Sequence, residues 1–321
     1  MLKLVMMPPQ DELRQQWASR LEQLLPQYRV VVPQTDEEAR REIVDADAAY
    51  GWVPPEALQA AQKLRWLQNP QAGPAPGYYY QALVEHPVVV CNPRGIYSDH
   101  ISHHIMMFLL ALSRGLPYYL EAQRQQRWDK EARQSPYIYL ADATALIVGV
   151  GGIGHETARL CTAFGMTVLG IDPRPEYDIP GVEVHPVADL DPLLPRADFV
   201  ISTTPHTPET EGMWQASRFR LMKPSAYFIN VGRGKTTKLD DLVAAIEGGE
   251  IAGCGLDVFE VEPLPSTHRL WTLPNVLMTP HVAVRDAENI ALRRFEVFLD
   301  NARRFAADEP LRNVVSKAAW Y

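Results

Sequence analysis

Cysteine is scarce in this chain of 321 residues. Only Cys91, Cys161 and Cys254 occur, in apolar or strand-like surroundings and without a CxxC spacing. Such a sparse, odd set argues against a disulfide framework and a thiolate zinc site. It is expected of reduced thiols in a cytoplasmic protein, packed as small core residues. Long apolar runs are missing as well. The longest, around Ile105 to Leu112, stops at Ser113-Arg114 and is too short to span a bilayer, so no membrane partner is expected. The opening Met1-Leu2-Lys3-Leu4-Val5 reads as a first strand, because no small-residue cleavage pattern follows it. Nor is there a basic stripe: 31 Lys and Arg are interspersed with 39 Asp and Glu, for a net charge of −8. Nucleic acid is therefore not an expected partner. Internal repeats and low-complexity tracts are absent, and the 27 prolines punctuate loops.

What is present is an apolar share of 46%, ordinary for a globular protein, on a chain long enough for two cores. Over the first ~95 residues strand and helix signals alternate. Leu2–Met6, Val30–Val32, Ala46–Tyr50, Arg65–Gln68 and Val88–Val90 read as strands, and Asp11–Leu25 and Pro55–Leu64 as helices. Ser98 to Leu116 has helical spacing and is expected to cross between domains. Further strands are expected at Phe199–Ser202, Ala226–Asn230, Ile251–Asp257 and Val276–Met278, with a helix at Leu239–Glu247. The fold class is thus α/β, with two doubly wound open-sheet domains. From Ala287 to Ala306 the chain is amphipathic at helical spacing, through Ala291, Phe295, Phe298, Ala302 and Phe305. This helix is expected to return to the first domain. Two crossings would make a hinge and a cleft, the expected place for a ligand.

A glycine-rich turn, Gly149-Val150-Gly151-Gly152-Ile153-Gly154, sits between the apolar run Ala145–Val148 and a helical stretch from Ile153 to Phe164. A second strand, Met166–Ile171, ends at Asp172, 18 residues beyond Gly154. The order strand, turn, helix, strand, acid is that of a dinucleotide site. The first glycine permits the tight turn, the second admits the pyrophosphate, and the third lets helix and strand pack closely. Free N–H groups at the helix start face the phosphates. A carboxylate at Asp172 would bind a ribose hydroxyl and repel a 2′-phosphate, so NAD is expected over NADP. Arg174, two residues on, is the group that could receive a phosphate instead.

Three later strings carry charge. Arg233 lies in Asn230-Val231-Gly232-Arg233-Gly234, Glu262 in Asp257-Val258-Phe259-Glu260-Val261-Glu262-Pro263, and His281 in Thr279-Pro280-His281. A guanidinium pairs with carboxylates in a bidentate way. An imidazole titrates near neutral pH, and a carboxylate beside it favours the imidazolium and fixes its tautomer. Glu260 competes with Glu262 for that last task. Gly232 and Gly234 are expected to leave room around Arg233.

With these residues in view, the chain resembles the NAD-dependent D-isomer-specific 2-hydroxyacid dehydrogenases. The resemblance rests on Pro208-Glu209-Thr210, Asn230 to Gly234, Gly255 to Pro263 and Trp271 to His281, in that order. It runs from Asn92…Gly95 to Leu311-Arg312-Asn313-Val314-Val315. It implies a Rossmann NAD-binding domain over 98–286, inserted in a smaller flavodoxin-like substrate domain of 1–97 and 287–321. It implies Arg233 as substrate anchor, His281 as proton donor and Glu262 as its partner, with substrate also held by Ala72 and Gly73. The cofactor set implied is Gly149, Gly151, Gly152, Ile153, Gly154, Asp172, Pro205, Thr210, Val231 and Asp257, the last for the nicotinamide carboxamide. The reaction implied is reduction of a small 2-keto acid to a D-2-hydroxy acid, of the hydroxypyruvate/glyoxylate kind, by a homodimer.

The chain departs from the family pattern at Gly152, Pro205-His206-Thr207, Ser102-His103-His104, Pro74-Ala75-Pro76 and Val282-Ala283-Val284-Arg285. The substrate pocket is expected to differ at the last two. His100, His103 and His104 share a helix face, but no ligand set completes them and no metal is expected. The alternatives are an NAD(H)-sensing binding protein of the corepressor kind and a formate dehydrogenase-like reaction. The chain's end soon after Val315 argues against a long-form phosphoglycerate dehydrogenase.

Overall fold

Short apolar runs closed by a polar residue, such as Phe199-Val200-Ile201-Ser202 and Tyr227-Phe228-Ile229-Asn230, are buried along their whole length in the computed structural model. Parallel strands covered on both faces must be apolar throughout. The structure describes residues 1–73, 77–130, 137–176, 179–285 and 289–318. Packing divides the chain into one unit of residues 1–96 and 288–321 and a second of residues 97–287. Among the expectations above, Pro74-Ala75-Pro76 and the 286/287 boundary fall outside the described residues.

The first unit runs β1 (Leu2–Met6), α1 (Glu12–Leu24), β2 (Tyr28–Val31), α2 (Asp36–Glu42), β3 (Ala48–Tyr50), α3 (Pro55–Ala60), β4 (Trp66–Gln68), α4 (Gln81–Glu85) and β5 (Val89–Cys91). Its sheet is parallel in the order β2-β1-β3-β4-β5, the flavodoxin-like arrangement. Helix α2 is absent from the sequence reading because it carries little apolar periodicity. Its ends hold it instead. Thr35 accepts from Glu38 N at 3.2 Å, and Glu38 reaches back to Gln34 N at 2.7 Å, a reciprocal cap.

The second unit holds α5 (Ser98–Ser113), α6 (Leu116–Arg124), β6 (Thr144–Val148), α7 (Gly152–Ala163), β7 (Thr167–Ile171), β8 (Val182–His185), α8 (Leu190–Leu193), β9 (Phe199–Ser202), α9 (Ala216–Phe219), β10 (Tyr227–Asn230), α10 (Leu239–Glu247), β11 (Gly253–Leu256) and β12 (Val276–Met278). Its parallel sheet runs β8-β7-β6-β9-β10-β11-β12, the Rossmann order extended by one strand. Edge strand β8 has no fully buried position, so it lacked the continuous apolar run that marked its neighbours. The sheet separates two apolar clusters. Ile105, Phe108 and Leu112 of α5 pack over one face, and Phe219, Leu242 and Leu270 over the other. No helix among the described residues is long and apolar enough to cross a membrane.

The chain ends on α11 (Ile290–Ala306). The predicted helix began at Ala287, which lies outside the described residues. Phe295, Phe298 and Ala302 of α11 pack with Trp17, Tyr50 and Trp66 of the first unit. A buried amide pair fastens this packing. Asn301 Nδ2 donates to Gln68 Oε1 at 3.0 Å and to Arg312 O at 3.1 Å, while Asn301 Oδ1 accepts from Arg312 N at 2.8 Å. Leucine at this position would leave the buried Gln68 Oε1 and two part-buried Arg312 backbone groups without these partners. Asn301→Leu is expected to lower stability by roughly 2–4 kcal/mol, read as the shift of a urea unfolding curve.

Candidate active site

The glycine turn joins β6 to α7, beside the point where strand order reverses between β6 and β9. Ligands of open α/β sheets bind at that point, outside the carboxyl ends of the strands. Gly149 has φ +93°, a conformation that penalises other residues. A Cβ on Gly154 would lie 2.1 Å from Gly149 O, so helix and turn touch backbone to backbone. A Cβ on Gly151 would meet nothing within 4 Å. Open space thus faces the N-terminus of α7, where N–H groups point outward. A dinucleotide pyrophosphate fits this cradle. Gly152 is exposed and Ile153 half-buried beside it.

Asp172, 4% exposed at the end of β7, accepts from Val150 N at 3.1 Å through Oδ2. Its Oδ1 accepts from Arg174 N at 3.1 Å and lies 3.4 Å from Arg174 Nε. The carboxylate therefore braces the glycine turn and holds Arg174 beside it. Pro205 and Thr210 belong to one loop after β9. Thr210 Oγ1 donates to Pro205 O at 2.7 Å and accepts from Thr207 N at 2.8 Å. Val231 is buried and donates to Ser202 O at 3.2 Å.

Arg233, Glu262 and His281 follow the neighbouring strands β10, β11 and β12, at the same carboxyl edge of the sheet. Asn230 shapes the first of these loops. Its buried amide accepts from Gly232 N at 2.9 Å and donates to Arg233 O and Thr237 Oγ1. The glycines around Arg233 do not make room, as the sequence had suggested. Cβ atoms there would lie 2.4 Å from Thr204 O and 1.8 Å from Phe259 O. Backbone occupies that space, and the turn is wedged between two loops. Arg233 Nη1 donates to Gly232 O at 2.7 Å. Burial pulls the guanidinium below its ordinary pKa, and the Glu262 carboxylate opposes that shift.

The two acids of the β11 loop part ways. Glu260 accepts from Lys238 Nζ and Leu239 N, at 3.1 and 3.2 Å. Glu262 accepts from Phe259 N at 2.9 Å through Oε1, and its Oε2 lies 2.8 Å from His281 Nδ1. A carboxylate only accepts, so Nδ1 carries the proton and Nε2 is left for other chemistry. His281 sits at φ +54°, unusual for a residue with a side chain. Asp257, 1% exposed, holds the loop in that shape. Its Oδ1 accepts from Thr279 Oγ1 at 2.6 Å and Val282 N at 2.9 Å, and its Oδ2 from Ala283 N at 3.1 Å.

In the first unit, Ala72 O accepts from Asn92 Nδ2 at 3.1 Å, and Gly73 is exposed. The sequence reading did not single out Trp52, which follows β3 and is 45% exposed. Tyr78 and Tyr80 donate to Gly51 O and Val53 O, at 2.9 and 2.8 Å, and fix the backbone on both sides of this indole. A solitary tryptophan among prolines gave no periodic signal. Among the described residues no His, Cys, Asp and Glu cluster could hold a metal.

The family profile described as "D-isomer specific 2-hydroxyacid dehydrogenase, NAD binding domain" matches residues 106–283. The chain belongs to the D-isomer specific 2-hydroxyacid dehydrogenase family. It is 33% identical over 263 residues to a glyoxylate reductase of Thermofilum pendens, covering 78% of this chain and 76% of that one. It is 30% identical over 316 residues to a glyoxylate/hydroxypyruvate reductase A of Photorhabdus laumondii, covering 95% and 96%. Among solved structures, the NADPH-dependent glyoxylate/hydroxypyruvate reductase of Sinorhizobium meliloti, in complex with NADP and sulfate, matches over 100% of both chains with a TM-score of 0.81 at 27% identity. The chain also matches D-3-phosphoglycerate dehydrogenases, of whose length it spans about half. The second unit of this dehydrogenase is accordingly a nicotinamide-dinucleotide domain.

The two glycines make separable predictions. Gly154→Ala should destabilise the fold by roughly 1–3 kcal/mol or more, because its methyl meets backbone. Gly151→Ala should leave the thermal midpoint nearly unchanged and weaken NADH binding, measured by cofactor fluorescence.

Proposed function

We propose that this chain reduces a small 2-keto acid to the D-2-hydroxy acid with NADH, within the glyoxylate/hydroxypyruvate class of its relatives. The observation that carries the reading is the Glu262–His281 pair, which leaves Nε2 as the working nitrogen on the same sheet edge as the half-buried Arg233. Bound at the glycine cradle, the nicotinamide cofactor supplies the hydride.

The chain's own residues do the rest. Arg233 receives the substrate carboxylate, and burial strengthens that pairing. Ala72 and Gly73 of the first unit are the further substrate contacts that the family resemblance implies. His281 Nε2 gives its proton to the carbonyl oxygen as that oxygen becomes a hydroxyl. Glu262 stabilises the imidazolium before transfer and keeps the ring turned. Asp257 has three of its roughly four acceptor sites filled by the His281 loop and keeps one for the carboxamide.

Asp172 supports NAD, since a carboxylate at the end of the second strand of this motif suits a ribose hydroxyl and repels a 2′-phosphate. Arg174 favours a second reading. Its approach to Asp172 at 3.4 Å partly neutralises the acid, and two structural relatives at 26–27% identity are complexes with NADP.

The reading is tested by NADH and NADPH oxidation against glyoxylate, hydroxypyruvate, pyruvate, phosphohydroxypyruvate and branched 2-keto acids. Turnover is expected with NADH and a small keto acid. Cofactor binding without turnover on any of them would favour a sensor. His281→Ala should lower kcat by roughly 10²–10⁴-fold with NADH binding kept. Arg233→Ala should chiefly raise KM, and Asp172→Ala should narrow the ratio of NADH to NADPH use.

We further infer a homodimer. Helices α5 and α6 leave Met107, Leu110, Leu116 and Leu120 exposed, with Trp128 at 89% exposure just beyond, and contiguous apolar surface of this kind marks an interface. Light scattering should give twice the chain mass, and Leu110→Glu should shift the protein towards monomer.

A further inference from the structure

Among the three histidines at the start of α5, only His104 reaches the loop that carries His281. Its Nε2 lies 2.8 Å from Thr279 Oγ1 and 3.6 Å from Asp257 Oδ1. The reach depends on close packing. A Cβ on Gly255 of β11 would lie 2.7 Å from Phe108 Cγ, so α5 lies hard against the sheet. Phe108 in turn meets the His104 ring edge-on, with centroids 4.9 Å apart, and fixes its plane.

The hydrogen bonds can then be directed. Thr279 has one hydroxyl proton, and the Asp257 carboxylate at 2.6 Å can only accept. That proton therefore goes to Asp257. The Thr279 oxygen must accept from His104, which requires a proton on His104 Nε2. Donation runs one way, from His104 Nε2–H to Thr279 Oγ1–H to Asp257 Oδ1, and Asp257 grips Val282 N and Ala283 N on the far side of His281.

We propose that His104 is a positioning residue for His281. By donating to Thr279 it fixes the hydroxyl rotor towards Asp257, and so holds both ends of the left-handed His281 turn. The proposal rests on the reading of His281 as proton donor. Burial pulls the His104 imidazole below its ordinary pKa, with Asp257 opposing, which suits a neutral ring in a single tautomer. Without the donor, the Thr279 hydroxyl is free to turn away, and Asp257 loses one of its three fixed partners.

The test compares His104→Leu, His104→Gln and Thr279→Val, since a glutamine amide places an N–H near the position of Nε2. The first readout is the His281 ring signal in carbon-13 NMR of the cofactor-free protein, and the second is kcat against KM. His104→Leu and Thr279→Val should both move the His281 signal and lower kcat by roughly 10- to 100-fold with KM little changed. His104→Gln should recover most of both. An unmoved His281 signal in the Leu and Val variants overturns the proposal, as does a glutamine variant that behaves like leucine. If His104→Leu does not fold, Thr279→Val decides alone, being nearly isosteric. A moved signal in a protein that turns over no keto acid would leave the positioning role standing and remove the reductase reading. Loss of turnover in His281→Ala with full turnover in the other variants would do the reverse.

Discussion

The second unit is organised around one buried carboxylate. Asp257 collects the Thr279 hydroxyl and the Val282 and Ala283 amides, and those bonds bracket a histidine in a left-handed backbone conformation. A non-glycine residue in that region costs about 1–2 kcal/mol. It persists only where its surroundings over-determine it. Charge-assisted hydrogen bonds are the strongest local means of doing so, and burying the acid makes them stronger still. The consequence is directional. With the turn fixed and Glu262 holding Nδ1, Nε2 is the His281 nitrogen left for the proposed proton transfer.

The same device recurs one strand away. Asn230 ends β10 and clamps the Arg233 turn, as Asp257 follows β11 and clamps the His281 turn. The two backbones are themselves joined, Asp257 N donating to Asn230 O at 3.1 Å. Rigid strands thus deliver two loops to one edge, with proposed tasks that differ: a cation that must stay charged under burial and an imidazole that must exchange a proton. Arg233 meets the first demand because guanidinium holds its proton even when desolvation opposes it. The wedge of Gly232 and Gly234 between backbones then denies the loop any other shape.

Much of this was legible in the residues. Parallel strands buried on both faces must be continuous apolar runs, which made β9 legible; β1, β12 and helix α10 also matched their predicted bounds. Elements held by other forces were missed. Charged α2 rests on its caps, and edge strand β8 is a four-residue alternation without the continuous apolar run of its neighbours. Within the site, residue type and spacing left Glu260 and Glu262 in competition until the family resemblance chose Glu262, and nothing separated His104 from His100 and His103. Those distinctions depend on which side of a turn faces the strand ends, and a one-dimensional pattern carries no such information. Gly232 and Gly234 were read as making room because spacing reveals a missing side chain but not what fills its place. Trp52 escaped notice for a related reason, since its setting is made by two tyrosine hydroxyls more than twenty residues away.

Asp172 shows how cofactor choice is tied to the fold. A ribose-binding acid is usually considered for the charge it presents to the 2′ position. Here the same carboxylate also receives the Val150 amide at 3.1 Å and so shapes the turn that meets the pyrophosphate. If Asp172 holds the ribose as proposed, removing it would relax selectivity at one end of the dinucleotide and loosen the cradle at the other. A switch towards NADP by substitution at this position alone therefore works against itself. Arg174, already held by Asp172, offers a route that leaves the brace intact, because its guanidinium can turn towards a phosphate while its backbone N–H stays on the carboxylate.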